Sequence, residues 1–219
     1  MLENQSKVEH LSELVYSKQS ATKVRWVLAV PEESSIKSVK DLQGKKIATE
    51  LVGFTRQYLK KNKVSADVEF SWGATEAKVA SGLVDAIVEL TETGSSLKAN
   101  KLRIVETLCE STTQFIANKD AVKDAWKKKK MDQVIMLLRG ALAANNMVGL
   151  KMNVEEKNLK KILHLLTALK NPTIAPLAKD GWVAVETVID EGTVRHLIPQ
   201  LKDAGAQGII EYSLNKLIY

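Results

Sequence analysis

Residues 85–100, DAIVELTETGSSLKAN, hold the densest set of chemically useful groups in this 219-residue chain. Ala86 to Leu90 reads as a short buried strand, followed by an acidic turn with Gly94 and a helix opening at Ser95 or Ser96. A strand that feeds a turn into a helix N-terminus is a natural phosphate site. Unpaired backbone N–H groups and the positive end of the helix dipole meet there. Gly94 admits a close backbone approach, while Thr93, Ser95 and Ser96 add hydroxyl donors. Glu89 and Glu92 would repel a phosphate set directly beside them. They suit the hydroxyls of a sugar, or a place around magnesium outside its direct ligands. Donors on one side and carboxylates on the other fit a sugar phosphate. The same residues also fit an ordinary strand–turn–helix junction capped by serines.

The flanking sequence predicts the frame for that turn. Val8 to Val15 and Val24 to Val30 read as strands, the second almost wholly apolar around Trp26, as a strand covered on both faces would be. A short helical turn at 38–44 has Ser38 as N-cap and Gly44 as stop. Lys46 to Glu50 is a strand leading into a helix with Phe54, Tyr58 and Leu59; 66–72 is a strand and 73–82 a helix. After the turn come an extended stretch at 102–118 and one long helix from Ala121 to Asn145. Met131, Val134, Ile135, Leu138 and Leu142 give that helix an apolar stripe expected to pack in a core, and Asn145 and Asn146 suit a left-handed cap. From residue 147 the pattern is βαββαβ, with helices at 155–170 and 193–206, a ferredoxin-like order. Pro199 predicts a kink or early stop in the second of these helices.

Composition excludes several classes. With 26% charged and 45% hydrophobic residues the chain reads as an ordinary globular protein. No apolar run approaches the roughly 18 residues of a membrane span, and MLENQSKVEH lacks the apolar centre of a secretory signal. A single cysteine, Cys109, rules out an internal disulfide and fits a cytoplasmic protein. Three scattered histidines, His10, His164 and His196, argue against structural zinc and read as surface residues; Trp72 and Trp182 read as core anchors. The net charge of +6 is spread along the chain apart from Lys127 to Lys130, and four consecutive lysines on a helix point around more than a full turn. They read as a solvated helix start, with no nucleic-acid partner.

Longer blocks of the sequence carry a family resemblance. ELTETGSSLKANKLRIVETL (89–108) resembles the phosphoribosyl-pyrophosphate loop of ATP phosphoribosyltransferase. ELVYSKQS (13–20), residues 24–50, FSWGATEAK (70–78) and GLVDAIVELTETGSSL (82–97) follow the family's order and spacing. NPTIAPLAKDGWVAVETVI (171–189) is similar to the regulatory domain of the long form. The resemblance implies an α/β fold: a periplasmic-binding-protein-like catalytic region, then a ferredoxin-like βαββαβ domain. The expected division is 1–146 catalytic (1–30 belonging to a first subdomain, 31–118 a second, 119–146 the long helix) and 147–219 regulatory. Met1 falls partway through the family's first subdomain, so an incomplete catalytic region is expected.

The implied reaction joins ATP to phosphoribosyl pyrophosphate with magnesium, in the first step of histidine biosynthesis, under feedback by histidine. For phosphoribosyl pyrophosphate the resemblance points to Glu89, Glu92, Thr93, Gly94, Ser95 and Ser96, with Leu97 anchoring the helix. For ATP it offers Arg56, Lys18 and Glu76; an exposed arginine, and a carboxylate answering a helix N-terminus, are the plainer readings of the first and last. For histidine it offers Thr173, Ala175 and Leu177, with Ala175 standing where relatives often carry serine. A homo-oligomer, dimer to hexamer, is also implied. The alternative reading is a non-catalytic ligand-binding or regulatory subunit of the same enzyme. A periplasmic-type solute-binding protein, a third reading, should carry a signal peptide and a second complete lobe.

Overall fold

The computed structural model describes residues 1–16, 23–166 and 172–219. The chain divides into two compact units, Met1–Lys128 and Lys129–Tyr219.

The first unit is built on Val24–Pro31, VRWVLAVP. β1 (Glu9–Leu14) precedes it, and this second strand, β2 (Val24–Pro31), lies inside a five-stranded sheet. The other members are β3 (Lys46–Thr49), β4 (Asp67–Phe70), β5 (Ala86–Thr91) and β6 (Leu102–Ser111), in the order β4-β3-β5-β2-β6. β3 runs parallel to β4 and β5, joined to them through α1 (Val52–Lys61) and α2 (Thr75–Ala80); β2 is antiparallel to β5 and β6. Alternate residues of β2 enter separate cores. Leu28 and Val30 pack with Ile47, Leu59 and Val88 on one face, Val27 and Ala29 with Ala48, Val79 and Leu97 on the other. Both faces are covered, as the unbroken apolar run requires. A short 3₁₀ turn, Val39–Leu42, has Ser38 as N-cap, and Asp41 Oδ2 accepts the Ser38 N–H at 2.9 Å. α3 (Ser95–Ala99) follows β5, and β7 (Thr113–Ala117) pairs antiparallel with β1. The stretch expected as one extended run is thus two strands in different sheets.

Arg103 on β6 holds the connection after β2. Its Nη2 donates to the carbonyls of Ser34 (2.8 Å) and Ile36 (2.6 Å), and its Nε to that of Glu32 (3.4 Å).

The long helix expected from Ala121 is broken. α4 (Lys119–Lys123) ends at Asp124, whose backbone is extended (ψ 117°), and α5 (Ala125–Ala144) begins anew. The cause is local: Asp124 Oδ1 accepts the Lys127 N–H at 2.9 Å, so the aspartate caps a second helix instead of continuing the first. The apolar stripe is corrected too. Ile135 is buried, but Val134 is 44% and Leu138 39% exposed, and the buried positions of α5 are Ile135, Gly140 and Ala144. Neither Asn145 nor Asn146 adopts a left-handed backbone; the helix unwinds through a turn in which the Asn145 N–H donates to the Leu142 carbonyl.

The second unit has the predicted order. β8 (Met147–Glu155), α6 (Glu156–Leu165), β9 (Thr173–Pro176), β10 (Trp182–Asp190), α7 (Glu191–Asp203) and β11 (Gln207–Ser213) form an antiparallel sheet ordered β11-β8-β10-β9 with its two helices. Leu150, Met152, Val154 and Val185 meet Ile162, Val194 and Leu201 in one core. Asp190 caps α7 by accepting the Thr193 N–H, and Gly205 (φ +99°) ends it; Pro199 does not stop the helix early. The expected tail of α6, residues 167–170, lies outside the described residues. On the sheet face away from that core the Tyr212 ring covers Gly149, where an added Cβ would come within 2.2 Å of it. Tyr212 Oη donates to Glu186 Oε1 at 2.5 Å. Trp182 is half-buried, with Lys179 Nζ 4.7 Å from its ring centroid.

Candidate functional site

Three parallel strands bring their carboxyl ends to one edge of the five-stranded sheet, where open α/β sheets take ligands. β3 delivers Glu50, β4 delivers Ser71 to Glu76, and β5 delivers Glu89 and the turn Thr91–Ser96. The turn is wound by hydrogen bonds to its own hydroxyls. Thr91 Oγ1 accepts the Gly94 N–H at 2.8 Å, Thr93 Oγ1 accepts the Ser95 N–H at 3.3 Å, and Thr93 Oγ1 donates to Ser95 Oγ at 3.0 Å.

Gly94, not a serine, is the N-cap of α3. Its φ of +81° is the left-handed conformation that glycine adopts without strain. This corrects the physical picture as well as the cap. A five-residue helix has little dipole, and the N–H groups of Gly94 and Ser95 are already taken by the hydroxyls of Thr91 and Thr93. Leu97 is 1% exposed and pins α3 in the core.

Carboxylates stand around the turn. Glu76 Oε1 accepts the Ser96 hydroxyl at 2.7 Å. Burial pushes the Glu89 carboxyl above its ordinary range, and the charges of Glu76 and Glu50 push further; the Leu90 N–H and the Thr75 hydroxyl pull it back. Glu89, Glu76 and Glu50 therefore share one neighbourhood, and the buried Thr75 hydroxyl donates to Ser71 Oγ at 3.3 Å. Thr91, Thr75 and Glu50 were missed from sequence. Thr91 had a readable signal, a threonine three residues before a glycine at a strand end, which is a side-chain turn pattern.

The chain matches the family model "ATP phosphoribosyltransferase" over residues 1–140 and "HisG, C-terminal domain" over 144–216. It is 59% identical over 218 residues to the ATP phosphoribosyltransferase of Thermodesulfovibrio yellowstonii, and 57% identical to that of Chlorobaculum parvum. Each alignment covers all of this chain and 74% of the relative. The chain belongs to the ATP phosphoribosyltransferase family. Among solved structures, the ATP phosphoribosyl transferase (HisG:HisZ) complex from Thermotoga maritima is similar at 26% identity and a TM-score of 0.52, over 61% of this chain and 65% of that one.

The remaining expected sites of this phosphoribosyltransferase lie apart from the turn or outside the described residues. Lys18 is among the latter. Arg56 donates through Nη2 to the Val68 carbonyl at 2.9 Å and borders a groove with Lys60 and Lys63. The N-terminus of α1 is held by Glu3, whose carboxylate accepts the N–H groups of Gly53 and Phe54, both at 2.8 Å. Trp72, expected in a core, is 81% exposed at the end of β4, where Gly73 (φ +72°) and Ala74 (φ +50°) turn the chain sharply into α2. Tyr58 donates to Glu106 at 2.7 Å, and burial with that bond pushes its hydroxyl up to about 12. Thr173 and Ala175 lie exposed on β9, opposite Glu186 and Ala184, and the Leu177 N–H donates to the Trp182 carbonyl at 2.9 Å. Cys109 is half-buried, which raises its thiol. Among the described residues no helix is long and apolar enough to cross a membrane.

Proposed function

We propose that this chain performs the reaction for which its family is named, joining ATP to phosphoribosyl pyrophosphate as the first step of histidine biosynthesis. Adenine N1 attacks the ribose C1, the bond from C1 to pyrophosphate breaks, and the products are N1-(5-phosphoribosyl)-ATP and pyrophosphate. The reaction needs alignment and charge stabilisation from the protein, with no covalent nucleophile. The observation that carries the reading is the meeting, at one sheet edge, of the Thr93–Ser96 turn with Glu89 and Glu76.

In this reading the hydroxyls of Thr93, Ser95 and Ser96 take the 5′-phosphate on a turn shaped by Gly94, Glu89 accepts from the ribose hydroxyls, and Glu92 borders the cradle. Among the described residues no three His, Cys, Asp or Glu side chains form a metal cage. Magnesium fits such a site nonetheless, because it binds through one or two carboxylates and the substrate's own phosphates. Glu89 and Glu76 are the residues that would hold it, and it would supply charge neutralisation to the departing pyrophosphate.

Residues 147–219 serve as the histidine sensor in this proposal, with Thr173, Ala175 and Leu177 at the ligand and the protein assembled as a homo-oligomer in the cytoplasm. Calorimetric titration of the full chain with histidine is the check, and a folded protein that evolves no heat removes the sensor assignment.

The central test is Thr93→Ala with Ser96→Ala. Two charge-assisted hydrogen bonds are lost, so the KM for phosphoribosyl pyrophosphate should rise about 100-fold while that for ATP moves less than about threefold. An equal effect on both substrates rejects the placement. A folded chain that binds phosphoribosyl pyrophosphate but forms no phosphoribosyl-ATP favours the non-catalytic subunit instead.

A further inference from the structure

Helix α1 opens without a cap of its own. Leu51 stands at its N-cap with no side-chain bond to offer, and no acidic residue lies in its first turn. Glu3 supplies both functions from 50 residues away: its Oε1 accepts the Gly53 N–H and its Oε2 the Phe54 N–H, each at 2.8 Å. Gly53 is what lets that segment lie so close. Its backbone is not left-handed, yet an added Cβ would stand 3.0 Å from the Glu3 carbonyl oxygen and 3.2 Å from Oε1. The segment turns away at Gln5, whose φ of +50° is a conformation that a residue with a side chain enters only at a cost.

Met1, Leu2 and Glu3 form one wall of a cavity of about 610 Å³, whose other walls include Trp26, Leu51 and Cys109. Leu51 is tied to the sheet: Thr49 Oγ1 accepts its N–H at 3.1 Å and donates to the Val88 carbonyl at 2.7 Å. The first five residues are therefore the side of the cavity that can move. Three features meet on them: a carboxylate gripping two amides, a glycine that clears its path, and backbone strain at Gln5 that release would relax.

We propose that Met1–Gln5 is a strap latched on α1 by Glu3, and that releasing the latch opens the cavity beside Trp26 to molecules from solvent. The inference goes beyond the phosphoribosyl-transfer reading and stands whether or not the Thr93–Ser96 turn holds a phosphate. Because Glu50 and Leu51 lead directly into α1, the same latch also steadies the loop that brings Glu50 to the sheet edge.

Cys109 is the chain's one cysteine and lines the cavity, so the rate at which N-ethylmaleimide alkylates it in the full chain reads the opening. Glu3→Ala removes both bonds and should speed alkylation about tenfold or more, while Glu3→Gln, which keeps one acceptor oxygen without the charge, should speed it about threefold. A gain below about twofold with Glu3→Ala overturns the strap. The gain should stay level up to about 1 M urea, since a local opening exposes little surface. A gain that climbs steeply with urea comes from global unfolding and overturns the proposal as well. Gly53→Ala carries the test if Glu3→Ala fails to fold. It should speed alkylation at least about threefold although alanine is the better helix former, and a rate equal to the parent's rejects the strap. Deuterium exchange at the Gly53 and Phe54 amides should quicken in the same variants. Faster exchange without faster alkylation leaves Glu3 a helix cap and removes the gate.

Discussion

Three parallel strands of the first unit end together, at β3, β4 and β5, so their following loops gather hydroxyls and carboxylates at one edge. The antiparallel sheet of the second unit sends alternate strands in opposite directions, and its polar groups collect on a face, where Tyr212, Glu186, Thr173 and Lys151 stand. The difference follows from strand direction alone. Parallel strands carry their N-terminal helix ends and turns to the same side, which suits a small ligand with several charges. An antiparallel face offers a broad, shallow surface and few converging backbone donors.

Two glycines sharpen the contrast, because each is needed for a different reason. Gly149 has no room: a Cβ would meet the Tyr212 ring at 2.2 Å. Gly149→Val should cost the second unit about 3 kcal/mol in chemical denaturation, as expected for overpacking. A loss below about 0.5 kcal/mol would mean that Tyr212 is free to leave the sheet face. Gly94 has room, its nearest contact being Ile104 Cδ1 at 3.6 Å, but its φ of +81° disfavours any side chain. Gly94→Ala should cost only about 1–2 kcal/mol in stability. It should nevertheless raise the KM for phosphoribosyl pyrophosphate more than about tenfold, since the hydroxyls of the turn lose their alignment. Stability loss without a change in KM would separate the turn from substrate binding.

The smallest expected effect tests the electrostatics of the sheet edge. The carboxyl of Glu89 is raised above its ordinary 4.5 in the folded protein, chiefly by burial. Below 4.5 both folded and unfolded states keep the proton, and Glu89→Gln should match the parent protein. As pH climbs past that point the unfolded state ionises first, so the parent loses stability relative to the variant until the folded group ionises as well. The gap then stays constant. Thermal melts at steps between about pH 4 and 8 should show it opening in that direction. A gap of opposite sign would place Glu89 among stabilising partners and not beside Glu76 and Glu50.

The βαββαβ unit was legible because each element carries its own period, from the alternating WVAVETVI of β10 to the apolar face of α6 around Ile162. The Gly94 turn was legible because glycine and hydroxyl residues mark a chain reversal wherever they fall. Contacts between distant segments left no such trace. Nothing along the sequence sets Glu76 against Ser96, or Thr75 against Glu89, since strand order decides those meetings. The stripe of α5 failed for a related reason. Period 3.6 shows that residues share a face but not what lies opposite, and Val134 and Leu138 are exposed. Asp124 could have been caught, being a capping residue ahead of the lysine run, but the helical propensity of that run masked it.

The guanidinium of Arg103 grips three main-chain oxygens, those of Glu32, Ser34 and Ile36. Because it reads carbonyls, which every residue possesses, this grip does not depend on which side chains the loop carries, even though Ile36 is buried in the core and the Ser34 hydroxyl accepts the Ile36 N–H. The grip does depend on the arginine. A lysine offers a single ammonium where a flat fork with several donors is required, so the shape of one segment is inherited through a residue on a distant strand.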